Sequence, residues 1–194
     1  TWEADGVLSL DLERADGQPL PAAEAGAHVE LTLPLPGGVL ARSYSLCGTP
    51  GETRHYRVGV GLDRASRGGS RWVHEHLRPG QRLKVAGPHN HFKLNESAPQ
   101  FALLAGGIGV TPMLTMAHRL HAIGRPFDLH YSAASRSSAG FVPDLGSDTG
   151  RPTLIVPNAG SFEAIPQRVL IAWKPSREAA RAVTRRRTPT AASA

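Results

Sequence analysis

The sequence predicts a two-part fold, an antiparallel Greek-key β-barrel followed by a parallel α/β unit. Three observations carry that expectation. Apolar residues alternate with a period of two through most of residues 1–98, which places one face of each strand on a core. Residues 101–105 are instead a continuous apolar run, as in a parallel strand buried on both faces. A glycine-rich turn, Gly106-Gly107-Ile108-Gly109, joins that run to a stretch with helical periodicity.

Taken in order, Leu8, Leu10 and Leu12 alternate before an Asp16-Gly17 turn. Val29, Leu31 and Leu33 alternate before Pro36-Gly37-Gly38, which returns the chain through residues 39–46. Tyr56, Val58, Val60 and Leu62 repeat the pattern, a short helix is expected over residues 71–77, and Leu83 and Val85 follow a Pro79-Gly80 turn. Short strands punctuated by Gly and Pro suit a small barrel, assigned to residues 1–98. The α/β unit, residues 99–145, then comprises a strand, a helix over residues 112–123 and a strand over residues 127–131. Thr111 suits the N-cap, Pro112 the first helical position and Gly124 the C-terminal stop, with Leu114, Ala117, Leu120 and His121 on one helical face.

Residues 143–151 read as a polar linker. Short strands at residues 153–156 and 168–173 and a helix at residues 176–185 follow, and residues 188–194 read as a disordered tail. The two late strands could add to the nucleotide sheet and cover an exposed edge.

The 194 residues hold no apolar run near the roughly 18 residues of a membrane span, and the N-terminus lacks the layout of a secretory signal. The expectation is a cytoplasmic protein without a membrane partner. Position 1 is Thr rather than Met, so the expectation is a sequence that begins inside a longer reading frame or after processing, with room for a missing first strand. A single cysteine, Cys47, excludes an intrachain disulfide and any iron–sulfur cluster held only by thiolates of these residues. The net charge of +6 belongs to the C-terminal end: from Arg168 onward there are seven Lys/Arg and one acid, Glu178. Trp173 is the single aromatic residue in that run, not the repeated interleaving of a nucleic-acid surface, so no nucleic-acid partner is expected.

Three motifs carry chemistry. In Arg42-Ser43-Tyr44-Ser45 an extended backbone points Arg42 and Tyr44 to one side, where a guanidinium and a phenol can flank one ligand while Ser45 faces differently. In Arg67-Gly68-Gly69-Ser70 the glycines open the backbone N–H groups at the start of a helix to an anion, and Ser70 adds a hydroxyl. In the third, Gly107, Gly109 and Thr111 lie between a buried strand and a helix, where a phosphate-binding turn works. Any one of them alone is weak. The pairs His74-x-His76 and His89-x-His91 suggest zinc, but residues i and i+2 on a helix do not share a face, and no metal site is assigned. Cys47 reads as a small buried side chain.

In order and spacing, with the second motif about 25 residues after the first and the third about 40 beyond, the set resembles the phthalate dioxygenase reductase and vanillate demethylase reductase family over residues 1–145. Gly26-Ala27-His28, Pro88-x-Asn90-x-Phe92-x-Leu94 and Leu129-His130-Tyr131 belong to the same likeness. The resemblance implies a flavin-binding barrel, an α/β nicotinamide-nucleotide domain and a following ferredoxin domain. It implies that Arg42 and Arg67, Gly68, Gly69 and Ser70 surround the phosphate of FMN rather than FAD, that Tyr44 and Ser45 face the flavin ring with Ser43 also among the cofactor-binding residues, and that Gly107, Gly109 and Thr111 meet NADH or NADPH. The implied function is a flavoprotein oxidoreductase, the reductase component of an oxygenase-type system. With no cluster cysteines here, its iron–sulfur or oxygenase acceptor is on another chain. No catalytic residue is singled out. Residues 150–184 resemble a fragment of universal stress proteins, and the domain assignment gives residues 146–187 to that segment. This leaves two alternatives: a fused or truncated remnant that binds flavin without turnover, and a stress-protein-like nucleotide-binding module.

Overall fold

The structure, a computed structural model, describes residues 1–63, 65, 67–148, 153–155 and 170–172. The first unit contains β1 (Trp2–Ala4), β2 (Val7–Leu12), β3 (His28–Leu35), β4 (Gly38–Ser45), β5 (Tyr56–Gly61), helix α1 (Gly69–His76) and β6 (Lys84–His89). These strands form two antiparallel three-stranded sheets, in the orders β1-β2-β5 and β4-β3-β6, joined by a bridge between Leu46 and Val58. Among the described residues the two sheets are joined at that bridge alone, so the barrel is not closed by pairing between its outer strands, β1 and β6.

The period-two expectation holds best in β3, where Val29, Leu31 and Leu33 are fully buried, and in β5, where Tyr56, Val58 and Val60 join the same core. It fails at the ends. Leu62 lies past the end of β5 and is exposed, and Val85 pairs with the buried Leu31 yet is 40% exposed, because among the described residues no strand pairs with β6 on its outer edge. Helix α1 begins two residues earlier than expected, directly after Gly68, whose φ of 98° suits a residue without a Cβ. Its buried Val73 reaches the barrel core, and His74 Nε2 lies 3.0 Å from the Val60 carbonyl.

The second unit contains β7 (Phe101–Gly106), a 3₁₀ turn (Gly107–Gly109), α2 (Val110–Ala122), β8 (Phe127–Ser132), α3 (Val142–Asp148), β9 (Thr153–Ile155) and β10 (Leu170–Ala172). All its strand pairs are parallel, in the order β10-β7-β8-β9, so both late strands take the edges of the sheet. The expected helix over residues 176–185 and the tail at 188–194 lie outside the described residues.

Three local expectations change. Thr111 is not the N-cap: the 3₁₀ turn carries the chain into α2 early, and the Thr111 hydroxyl donates back to the Ile108 carbonyl at 2.9 Å. His121 is exposed, whereas residues 110–117 are buried all round, because α2 is packed on both sides. Its core cluster contains Leu103 and Leu129 from the parallel sheet and also Val7, Ala25 and Cys47 from the first unit. The expected linker at residues 143–151 begins instead with α3, in which Leu145 is buried and Asp144 sits in the first turn, where a negative charge suits the helix dipole. Burial of Phe141 and Leu145 outweighs the turn preference of Gly146 and Ser147.

Candidate functional site

The alternation of β4 places Leu40, Arg42 and Tyr44 on the side facing the barrel interior, with Ser43 exposed on the other. Tyr44 is half-buried against the core, and burial pushes its phenol above the ordinary value, with the Arg42 guanidinium opposing that shift. Arg42 and Tyr44 are thus brought together as their spacing suggested. Ser43 contributes backbone but no side chain to that face, and Ser45 ends the strand opposite His28.

The second motif meets the first directly. A Cβ on Gly69 would lie 3.3 Å from Arg42 Cγ and 3.3 Å from Leu40 Cδ2, so the first residue of α1 rests on the aliphatic stem of Arg42. The guanidinium donates to the Ala41 carbonyl at 2.8 Å, and the start of α1 on which the stem rests has backbone N–H groups without intrahelical partners and, among the described residues, no side-chain cap. Ser70 Oγ accepts the Asp63 N–H at 3.1 Å, a bond that does not use the hydroxyl's own proton.

The third motif opens at the carboxyl end of β7, beside Ser132 of β8. Gly106 and Gly107 are exposed, and a Cβ on either would meet no atom within 4 Å. Gly109 and Thr111 are buried instead, with Thr111 turned into the contact between the two units. Of the three loop residues singled out in the sequence, only Gly107 presents itself at the mouth.

The contact that carries this loop was not anticipated. Gly59 and Gly61 of β5 share a face, and a Cβ on Gly59 would lie 2.6 Å from Thr111 Cγ2 and 2.8 Å from Phe141 Cζ, while one on Gly61 would lie 3.2 Å from Ile108 Cβ. The two glycines let the loop and α2 dock on the barrel strand that leaves the Leu46 bridge beside the end of β4. Phe141 has φ 63°, the one non-glycine residue in the left-handed region among the described residues, and its ring is fully buried. Arg57 sits over that ring at 5.5 Å and bonds Glu3 at 2.7 Å and Asp144 at 3.3 Å, which ties β5, β1 and α3 together. Burial works to raise the Glu3 carboxyl, but hydrogen bonds from Ser9 and Arg57 outweigh it and hold the group below its ordinary range. The legible signal for this seam was Gly59-x-Gly61, two glycines at strand spacing.

Cys47 is buried, and burial pushes its thiol up to about 12, with Arg57 opposing, so it is no nucleophile at neutral pH. The two histidine pairs do not converge on each other. His89 and His91 meet His28 instead, with ring centroids 5.8 and 5.2 Å from it. Among the described residues no group of three or more His, Cys, Asp or Glu has the geometry to hold a metal ion. Nearby, Asn90 donates to the Ala25 carbonyl at 3.0 Å, Gly26 packs on Phe92, and the Gly26 N–H donates to Thr115 Oγ1 at 2.9 Å. These two short motifs are scaffolding that fixes α2 to the barrel.

A three-layer arrangement of this kind, two antiparallel sheets with a docked parallel α/β unit, is that of flavin- and nucleotide-binding reductase domains. The flavohaemoglobin-like FAD/NAD-binding domain of a Vibrio cholerae nitric oxide dioxygenase superposes with a TM-score of 0.73 over 87% of this chain and 78% of that one, at 20% identity, a likeness of fold alone. The chain belongs to the ferredoxin-reductase-like family that includes vanillate demethylase and phthalate dioxygenase reductases. It is 50% identical over 139 residues to a vanillate O-demethylase oxidoreductase of Pseudomonas sp., covering 72% of this chain and 43% of that protein. Phthalate dioxygenase reductase, a modular structure for electron transfer from pyridine nucleotides to [2Fe–2S], matches at 35% identity and a TM-score of 0.75 over 84% of this chain and 51% of that one. The chain therefore spans about half the length of such relatives or less. No protein-family model matches it. The likeness of residues 150–184 to universal stress proteins is not borne out: the relatives are reductases, and the described parts of that segment, β9 and β10, are edge strands of the nucleotide sheet. No helix among the described residues is long and apolar enough to cross a membrane.

Proposed function

We propose that this chain is the flavin- and nicotinamide-nucleotide-binding part of an oxygenase-type reductase, taking electrons from NADH or NADPH through FMN to an iron–sulfur or oxygenase acceptor. The observation that carries the reading is the packing of Gly69 on the stem of Arg42, which joins two motifs far apart in sequence into one anion-binding corner. When bound, the flavin supplies the chemistry of accepting a hydride pair and releasing electrons singly.

The residues present fit such a group. Arg42 offers a planar fork for a terminal phosphate, and the first N–H groups of α1 converge on the same corner. Ser70 adds a hydroxyl proton. Tyr44, half-buried on the same face of β4, supplies an aromatic wall, and the backbone of Ser43 and Ser45 continues the unshared edge of that strand. A corner with one arginine and one helix start suits a single phosphate, which favours FMN over FAD. The open faces of Gly106 and Gly107 allow a dinucleotide to approach the backbone at the end of β7.

Titration of FMN with fluorescence detection tests the first half. Arg42→Ala should weaken binding at least tenfold, corresponding to the ~1.5–3 kcal/mol of a hydrogen bond to a charged group, and Arg54→Ala, on an 84% exposed side chain, should not. Anaerobic bleaching by NADH or NADPH tests the second. If FMN binds and neither nucleotide bleaches it, the chain is a flavin-binding remnant without turnover; if FMN does not bind, the reading fails altogether.

A further inference from the structure

Just past the carboxyl end of β8 the chain makes a tight turn over residues 135–138. Ser135 and Ser138 close it on each other: the Ser135 N–H donates to Ser138 Oγ at 3.0 Å, the Ser138 N–H donates to Ser135 Oγ at 3.1 Å, and the Ser138 hydroxyl donates to the Ser135 carbonyl at 3.1 Å. The Ser137 carbonyl accepts the Asp5 N–H at 2.7 Å, which pins the turn to the first unit. Directly after it, a Cβ on Gly140 would lie 3.0 Å from Val7, and Phe141 is fully buried. A turn fixed in this way holds its exposed residue, Arg136, at a set place.

Among the described residues the Arg136 guanidinium has no hydrogen-bond or ion-pair partner. The other cations described in the second unit are engaged. Arg119 pairs with Glu96 at 2.8 Å, and Arg125 donates to the Ala98 carbonyl and lies over Phe101 at the amino end of β7. No carboxylate occurs from Leu129 to Pro143. Of the acids nearest the turn, Glu3 and Asp144 are both bonded to Arg57, and Asp5 meets the turn through its main chain. The end of β8 therefore presents an uncommitted arginine among serine hydroxyls, with no acid of its own.

Ser132 pairs with Gly106, so this turn follows β8 abreast of the glycine loop that follows β7. A dinucleotide whose pyrophosphate meets the loop after one strand of an open parallel sheet sets its adenosine ribose over the end of the next strand. A carboxylate there grips the ribose hydroxyls of NADH and repels a 2′-phosphate, whereas an arginine without a carboxylate attracts one. Resting on the nucleotide-binding reading above, we infer that the chain selects NADPH over NADH, and that Arg136 is the residue that takes the 2′-phosphate.

Calorimetric titration of the full chain with adenosine 2′,5′-bisphosphate and with AMP, which lacks the 2′-phosphate, reads this subsite without turnover. The bisphosphate should bind about tenfold more tightly or better, as a hydrogen bond between charged groups provides. Arg136→Ala should abolish that advantage and leave AMP binding unchanged, which also shows the variant to be folded. Ser135→Asp keeps an acceptor for the Ser138 N–H but puts a carboxylate in the turn, and should abolish the advantage as well. Equal affinity for the two probes, failure of both to bind, or an advantage that survives Arg136→Ala overturns the inference. Titration of the same samples with FMN keeps the two readings apart. Bound FMN with no preference between the probes overturns the subsite alone, and a preference without bound FMN overturns the flavin reading alone.

Discussion

Two sets of glycines do opposite work in this molecule. Gly26, Gly59 and Gly61 stand where the protein already fills the space a side chain would take: against the Phe92 backbone, Thr111 and Phe141, and Ile108. Gly106 and Gly107 stand where nothing of the protein comes within 4 Å of a Cβ. The first set exists for packing between the barrel and the α/β unit, the second for whatever approaches the end of β7. A glycine-rich sequence therefore has no single meaning here; what its missing side chains would touch decides it.

That contrast can be broken at either end. The largest effect should follow Gly26→Ala, which drives a Cβ into the Phe92 carbonyl in a backbone with φ 86°. A backbone clash added to left-handed strain should cost about 3–5 kcal/mol in urea unfolding. Gly59→Ala should cost about 1–3 kcal/mol, since overpacking there meets two buried side chains rather than backbone. Gly106→Ala should leave stability unchanged or raise it by up to about 1 kcal/mol, because its φ of −129° suits alanine. The same variant should slow anaerobic bleaching by nicotinamide nucleotide at least tenfold if the loop takes that ligand. A loss of stability there matching that of Gly59→Ala would erase the distinction.

The smallest effect is a pH dependence at the scaffold end. Burial, then the neighbouring His91 and His89, lower the His28 pKa from its ordinary 6.5, with Glu30 acting the other way. A histidine lowered in the folded state takes up more protons when unfolded. Its stabilising contribution is therefore complete above about 6.5 and declines as the pH falls through that value towards the folded one. Unfolding free energies measured between pH 8 and 5 should show this decline, and His89→Gln with His91→Gln should make it shallower while the part due to burial remains.

Much of this organisation was legible in the residues. The alternation of Val29, Leu31 and Leu33 shows in the sequence because one face of β3 is wholly buried, and the run at residues 101–105 shows because β7 is covered on both faces. Arg42 and Tyr44 were correctly placed on one face because strand alternation is local. What escaped depends on partners distant in sequence. Val85 has an inward register but no neighbour on the far side, α3 is helical because Phe141 and Leu145 find a core, and Thr111 is taken from the loop mouth by Gly59. The meeting of Arg42 with Gly69 could be hoped for from motif order alone, but only packing supplies it.

The seam at Gly59 also constrains how this protein can change over generations. The strand contributes an absent side chain and Phe141 an oversized one, set on a backbone that favours glycine. A larger residue at 59 becomes tolerable only once both 141 and 111 have made room, and a smaller one at 141 opens a void unless 59 has grown. The three positions are in effect one inherited character written at three places in the chain.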